Sequence, residues 1–154
     1  MKKIYFKIKI VNFILLIFFL DYYTKFFIKN NFKKNQIIIV NFFLNILYKK
    51  NYGLVFEIFS KQITLNKSIL YVTNSILFII TILVIYITFK KKNIYKNSFI
   101  LFSSGSVGNI FERIKNGYIT DFIDLHYKNF HFFIFNISDI FITLGFILFF
   151  LENM

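Results

Sequence analysis

The sequence predicts an all-α membrane protein, a four-transmembrane-helix bundle with a small extramembrane β-rich segment between the first and the second helix. Of 154 residues, 57% are hydrophobic, and the mean hydropathy is +0.62, which is more apolar than an ordinary soluble domain. The apolar residues also gather in four runs that lysines separate, the pattern of a polytopic membrane protein. We therefore expect a single integral membrane domain over residues 1–154.

The first predicted span covers about residues 10–28 and follows a lysine-rich start. A charged start before a short apolar stretch is also typical of a signal peptide. The small residues of a cleavage site are missing, however, and Asp21 and Lys25 stand in their place before the apolar pattern resumes. An uncleaved span fits better, and these two residues have the i, i+4 order of a helical ion pair.

Residues 29–67 mix lysines and asparagines with short β-branched stretches, and this pattern predicts an extramembrane segment with two or three short strands. An amphipathic piece at about 55–65 is expected to lie on the membrane surface. Further spans are expected at about 68–89, 98–114 and 132–151, which places both termini on one side of the membrane. The lysines divide almost evenly between the two sides, so charge favours a cytoplasmic N-terminus only slightly.

The net charge of +12 points to anionic lipid rather than to nucleic acid, because the lysines flank apolar runs and no aromatic and basic pattern of a nucleic-acid module is present. The chain has no cysteine, which excludes disulfides, thiolate catalysis and thiolate zinc sites. His126 and His131 are its two histidines and leave little for a metal cluster. We expect no metal, no cofactor and a monomer among membrane lipids.

Asp139 is the most informative acidic residue, because it lies inside the predicted fourth span with Asn136 three positions before it. A charge at the centre of a membrane helix costs about 2.5–3.5 kcal/mol, so such a residue is expected to have a function. The alternative is a buried aspartate that pairs with a lysine for packing. Asp121, just before this span, meets Asp139 if residues 124–131 fold back as a short loop.

Two carboxyl groups that meet cannot both ionise easily, so one keeps a proton while the other stays charged. Aspartic proteases use this arrangement to activate water and to polarise a peptide carbonyl. In the third span, Gly105, Gly108, Asn109, Glu112 and Arg113 share one helical stripe, and Arg113 is the only arginine. Its planar fork of donors suggests a specific contact, although a stripe that serves packing alone is the alternative.

Five elements in this order resemble the signal peptidase II family, the lipoprotein signal peptidases. They are Asp21-x-x-Thr24-Lys25, Asn51-x-Gly53-x-x-Phe56, the stretch from Gly105 through Gly108-Asn109 to Glu112-Arg113, Asp121-Phe122, and Phe135-Asn136-Ile137-Ser138-Asp139.

The resemblance implies that Asp121 and Asp139 are the catalytic dyad of an intramembrane aspartic endopeptidase. It implies removal of the signal peptide from diacylglyceryl-modified bacterial prolipoproteins, N-terminal to the lipidated cysteine, and sensitivity to globomycin. It also implies a multi-pass protein of the bacterial inner membrane with both termini cytoplasmic. The residues that bind substrate or support the dyad would be Asp21, Lys25, Asn51, Gly53, Gly105, Asn109, Arg113 and Asn136.

The chain departs from the family pattern at three positions. Glu112 stands where an aspartate is usual, Ser104 replaces the first glycine of the third-span pair, and Ser138 replaces an alanine. We expect the Ser138 hydroxyl to hydrogen-bond the neighbouring Asp139. None of these changes removes a catalytic group.

Two functions of other classes stay open on the sequence. A small proton-coupled transporter or channel would use Asp139 as its titrating site and Arg113 as its partner, and would not need Asp121. A non-catalytic membrane assembly factor would tolerate the loss of both aspartates.

Overall fold

The computed structural model describes residues 2–33, 36–53, 67–90 and 96–154. This part of the chain contains four helices, as predicted, and four strands. In chain order they are α1 (Lys2–Asn31), β1 (Ile37–Asn41), β2 (Leu44–Asn51), α2 (Lys67–Phe89), α3 (Lys96–Asn116), β3 (Ile119–Tyr127), β4 (Phe130–Phe135) and α4 (Ile137–Asn153).

Helix α3 is the centre of the bundle and contacts α1, α2 and α4. Glycines make its approach to α4 close. A Cβ atom on Gly145 of α4 would lie 3.0 Å from the Phe102 nitrogen and 3.0 Å from the Ser98 oxygen of α3. Helices α1 and α3 each lead into a strand, so their C-terminal ends lie on the side of the bundle that carries the sheet. Gly117 ends α3 with a φ of 76°, and its N–H bonds the Arg113 carbonyl at 2.8 Å.

The four strands form one antiparallel sheet in the order β1-β2-β3-β4. The prediction of short strands after the first helix is confirmed by β1 and β2, but it missed β3 and β4, which follow the third helix. Strand β2 pairs with β3 across the middle of the sheet, with Lys49 opposite Asp121 and Asn51 opposite Ile119. The hairpin β3–β4 turns at Lys128, where φ is 53°. The expected amphipathic piece at about 55–65 lies outside the described residues.

The fourth helix begins at Ile137, later than the expected start at about residue 132. The aromatic run Phe130–Phe135 pairs with β3 as a strand, because aromatic residues also suit a pleated sheet. Asn136 then caps the helix. Its side chain accepts a bond from the Asp139 backbone N–H, and the Asp139 carboxylate accepts one from the Asn136 backbone N–H. Asp139 therefore lies in the first turn of α4 rather than inside it.

In the described part of the chain most buried side chains are polar, and many large apolar side chains are exposed. Its largest fully buried side chains are all polar and include Asn136, Thr88, Thr120 and Asp21. Large aromatic and aliphatic side chains of α1, α2 and α4 are exposed instead. By length and composition, one described helix, Ser68–Phe89, is long and apolar enough to cross a membrane, with a hydropathy of 2.3.

Candidate active site

Asp121 lies in β3 at the boundary between the sheet and the helices, and its side chain is 1% exposed. Each carboxylate oxygen accepts one amide donor: the Asn51 side chain bonds Oδ2 at 2.8 Å and the Asn136 side chain bonds Oδ1 at 2.7 Å. Burial and the nearby charge of Asp139 raise the pKa of Asp121 to about 7, although the two asparagines oppose the rise. This carboxyl group can therefore exchange a proton near neutral pH.

Asp139 reaches the same place from the first turn of α4. Its Oδ2 accepts the Asn136 backbone N–H at 3.2 Å, and its Oδ1 accepts the side-chain amide of Asn109 from α3 at 2.7 Å. The side chain is half-buried. A helix N-terminus favours negative charge, so this position suits a carboxylate.

Asn136 joins the two aspartates. Its side-chain amide donates to Asp121, its side-chain oxygen accepts the Asp139 N–H at 3.0 Å, and its own N–H donates to the Asp139 carboxylate. The hairpin β3–β4 returns the chain from Asp121 to Asn136, where a short loop was expected. The structure thus brings the two predicted catalytic carboxyl groups to one residue that contacts both.

The predicted pair of Asp21 and Lys25 lies directly behind the dyad. Lys25 Nζ is 2.7 Å from Asp21 Oδ2 and donates to the Asn109 side-chain oxygen at 2.9 Å. Asp21 Oδ1 accepts the backbone N–H of Ser138 at 2.9 Å and so holds the first turn of α4. Both side chains are buried. Lys25 thereby orients Asn109, which in turn donates to Asp139.

Arg113 lies on the β2 side of the site and is 2% exposed. Its Nη2 donates to the Gly53 carbonyl oxygen at 2.5 Å, and the Gly53 N–H donates to the Asn51 side chain at 2.8 Å. Arg113 therefore fixes the turn that presents Asn51 to Asp121. Its Nε and Nη1 are buried and have no partner among the described residues. Phe56, the last residue of this predicted element, lies outside them.

Gly105 lets α3 approach the first turn of α4 closely enough to complete the site. A Cβ atom on Gly105 would collide with the Ser138 carbonyl oxygen and lie 2.7 Å from Ile142 Cγ1. Gly108 is similarly close to Asp21, whose Oδ2 would lie 2.7 Å from an added Cβ. The glycine stripe that the sequence predicts thus lies at the α1–α3–α4 contact.

We expect Gly105→Ala to destabilise the protein by about 1–3 kcal/mol, because the added methyl group meets backbone rather than a movable side chain. Any activity that depends on Asp139 should fall as well, since the displaced residue, Ser138, precedes it. Thermal unfolding in detergent micelles checks the first effect. Ser106→Ala, on the same helix, is the control and should leave the melting temperature nearly unchanged. An unaltered Gly105→Ala protein would show that the two helices are not in this contact.

Glu112 is a site residue that the sequence prediction did not include. It links α3 directly to β3 and to α1. Its Oε2 accepts the Thr120 N–H at 2.9 Å, its Oε1 accepts the Thr120 hydroxyl at 2.7 Å, and it pairs with Lys25 at 3.3 Å and with Lys29. Glu112 thereby fixes the residue before Asp121. This link depends on the tertiary position of β3, so no local pattern indicates it. The spacing of Asn136 and Asp139, by contrast, is a capping-box signal that sequence could have revealed.

The prediction that the Ser138 hydroxyl bonds Asp139 is wrong. Ser138 Oγ points toward α3, where it would collide with a Cβ atom on Gly108, and it has no partner among the described residues. The direction follows from helix geometry, because adjacent residues project to different faces. Ser104 also lies in the α3 interface, and its hydroxyl donates to the Ile100 carbonyl at 2.7 Å.

A second buried carboxylate lies farther along β3. Asp124 accepts the Asn45 side chain at 3.1 Å, and each of its oxygens lies 2.9 Å from His131 Nδ1. Within the described ranges, no group of three or more histidine, aspartate or glutamate side chains could hold a metal ion.

Comparison with known proteins assigns the chain to a family. The family model of signal peptidase (SPase) II matches residues 13–154. The chain is 40% identical to a lipoprotein signal peptidase of Buchnera aphidicola subsp. Schizaphis graminum (strain Sg), over 99% of this chain and 97% of the relative. It is 36% identical to one of Pelagibacter ubique (strain HTCC1062), over 90% and 87%.

The fold is also that of a solved bacterial membrane enzyme, described as determined by the in meso method at 1.9 Å resolution. The TM-score is 0.74 at 26% identity, over 95% of this chain and 92% of that one. These similarities give no support to a proton-coupled transporter or channel. The chain therefore belongs to the signal peptidase II family and is a bacterial membrane protease.

Proposed function

We propose that the protein is an intramembrane aspartic endopeptidase that removes the signal peptide from diacylglyceryl-modified prolipoproteins, cleaving N-terminal to the lipidated cysteine. The observation that carries this proposal is the convergence of Asp121 and Asp139 on Asn136. Family membership and the names of the relatives supply the substrate class.

In the proposed reaction, the charged aspartate takes a proton from a water molecule while the oxygen of that water attacks the scissile carbonyl carbon. The other aspartate is protonated and donates a hydrogen bond to the carbonyl oxygen, which becomes negative in the tetrahedral intermediate. The carbon–nitrogen bond then breaks, and the leaving amine receives a proton from the dyad. The reaction needs one water molecule, two carboxyl groups, and neither metal nor cofactor.

The arginine and the asparagines position the substrate in this proposal. Arg113 has two buried donors, Nε and Nη1, that no described residue uses. A buried, unpaired donor is unfavourable, so a peptide carbonyl that accepts from it would gain the full hydrogen bond. Asn51 and Asn136 hold Asp121, while Asn109 and Lys25 hold the orientation of Asp139.

We also propose that all four helices span the bacterial inner membrane, with both termini in the cytoplasm and the sheet on the outer side. The distribution of side chains supports this topology, because buried polar and exposed apolar residues suit a lipid environment. Helix α4, with 17 residues, is short for a span, and the apolar β4 before it would lengthen the membrane-embedded region. A monomer suffices, since one chain supplies both aspartates.

A gel-shift assay tests the proposed function. Purified protein in detergent should convert a diacylglyceryl prolipoprotein to a smaller product, and globomycin should prevent the conversion. The same precursor without its diacylglyceryl group is the control and should stay uncut. Cleavage of both precursors alike would contradict the substrate class, and absence of cleavage would contradict the proposal as a whole.

The pH dependence of cleavage follows from Asp121. Because its pKa is raised to about 7, the dyad loses its remaining proton as the pH rises through this value, and no acid is left to protonate the leaving amine. We expect kcat/KM to fall about tenfold per pH unit above that point. A pH–rate profile from about pH 5 to pH 9 checks this. A rate that stays constant across the alkaline half would contradict the role of a shared proton.

A further inference from the structure

A groove lies between α1 and α3 on the outer flank of the bundle, near the helix ends that lead into the sheet. Its volume is about 160 Å³. Phe18, Tyr22 and Phe26 of α1 and Phe111 of α3 line it, together with Lys29 and Lys115. Neither Asp121 nor Asp139 lines the groove, although Asp21 and Lys25, which lie behind them, do.

The wall of the groove is an ordered row of rings. Tyr22 stacks on Phe18 at 6.1 Å and on Phe26 at 6.4 Å between ring centroids, and Phe111 packs edge-on against Phe18 at 5.2 Å. Phe26 and Phe111 are nonetheless 53% and 40% exposed. This row follows the helix axis, so it presents a continuous apolar surface to a chain lying along α1.

The side chains that line the groove carry more positive than negative charge. Lys25 and Lys29 pair with Asp21 and Glu112. Lys115 has no carboxylate partner among the described residues, and its Nζ lies over the rings of Tyr22 at 5.7 Å and Phe111 at 6.0 Å. The three lysines and two carboxylates that line the groove leave one net positive charge, which lies beside the aromatic row.

We propose that this groove binds one anionic phospholipid, with an acyl chain along the aromatic row and the phosphate at Lys115. An anion with an apolar tail matches both features at once: the exposed rings gain apolar contact, and the Lys115 ammonium, which has no carboxylate partner among the described residues, gains a counter-ion. A zwitterionic lipid fits less well, because its own cation competes with Lys115 for the phosphate. In the topology proposed above, the helix ends beside the sheet lie at the level of lipid headgroups.

Native mass spectrometry of the full chain in detergent tests the proposal, with dioleoyl phosphatidylglycerol and dioleoyl phosphatidylcholine as competing probes. No peptide substrate is present, so the result is independent of the peptidase assignment. The wild type should retain one phosphatidylglycerol in preference to phosphatidylcholine. Lys115→Gln should lower that preference about fivefold, the effect of losing one lysine contact with an anionic lipid.

Lys9→Gln is the matched control, because Lys9 also lies over a ring, that of Tyr5 at 4.9 Å, but at the other end of α1. It should leave the preference unchanged. An equal loss in both variants, or equal retention of the two lipids by the wild type, would overturn the proposal. Inorganic phosphate is the remaining probe and should fail to displace the lipid. Displacement of the lipid by phosphate would show that the site binds free anions, and this result would also overturn the proposal.

Discussion

Replacing either Asp121 or Asp139 with asparagine is expected to lower the rate of prolipoprotein cleavage by at least about 10³-fold, within the range that general acid–base catalysis contributes. Asparagine keeps the shape of the side chain but cannot take a proton from water or give one to the leaving amine. The fold should survive, because an asparagine at position 121 keeps the shape of the side chain and its single oxygen keeps one of the two amide bonds, from Asn51 or from Asn136. Single-turnover cleavage of a lipidated precursor measures the effect.

Asp124→Asn is the matched control for these variants. Asp124 is a fully buried carboxylate in the same strand as Asp121, but it bonds Asn45 and His131 rather than Asn136. Its variant should retain most of the activity once equal amounts of folded protein are compared. Turnover at the wild-type rate by Asp121→Asn or Asp139→Asn would contradict the assignment of the dyad.

Lys25→Met is expected to cause the largest loss of stability, about 3–5 kcal/mol, because it leaves two buried carboxylates without their shared cation. Lys25 is 2.7 Å from Asp21 and 3.3 Å from Glu112, and its side chain is 4% exposed. Activity should fall too, because Asn109 loses the donor that orients it toward Asp139. Thermal unfolding in micelles, with cleavage rates at a temperature where the variant is folded, measures both effects.

Lys29→Met provides the comparison, since Lys29 pairs with the same Glu112 but its side chain is 24% exposed. A partly exposed pair contributes less than a fully buried one, so this variant should lose clearly less stability than Lys25→Met. Adding Asp21→Asn to Lys25→Met should restore part of the lost stability, because it removes the buried charge that Lys25 no longer neutralises, whereas Glu112 keeps Lys29. Equal destabilisation by Lys25→Met and Lys29→Met would contradict the buried network.

Hydropathy predicts the helices well where apolar runs are long and free of charge, as in Ser68–Phe89. It fails at Phe130–Phe135, because a short aromatic run satisfies a strand and a helix equally and only the pairing with β3 decides between them. The central pairing of β2 with β3 joins segments on either side of two helices. No local pattern contains that information.

The positions of the site residues are better anticipated than their contacts. The motif elements point to Asp121, Asp139 and Arg113, and the structure places all three around one site. The link from Glu112 to Thr120 could not be predicted, because it depends on how β3 passes the end of α3. The direction of the Ser138 hydroxyl was missed because adjacent residues of a helix project to different faces, so closeness to Asp139 in sequence does not bring the two side chains together.

Asp121 and Asp139 are proposed to act as one coupled pair, and infrared titration of their carboxyl groups measures that coupling. A carbonyl band of a protonated carboxyl group should disappear with a midpoint given by the Asp121 pKa of about 7 and should be absent from Asp121→Asn. In Asp139→Asn the midpoint should move to lower pH, because the charge of Asp139 helps to raise the pKa of Asp121. An unchanged band and midpoint in Asp139→Asn would contradict the proposed coupling, since the two carboxyl groups would then titrate independently.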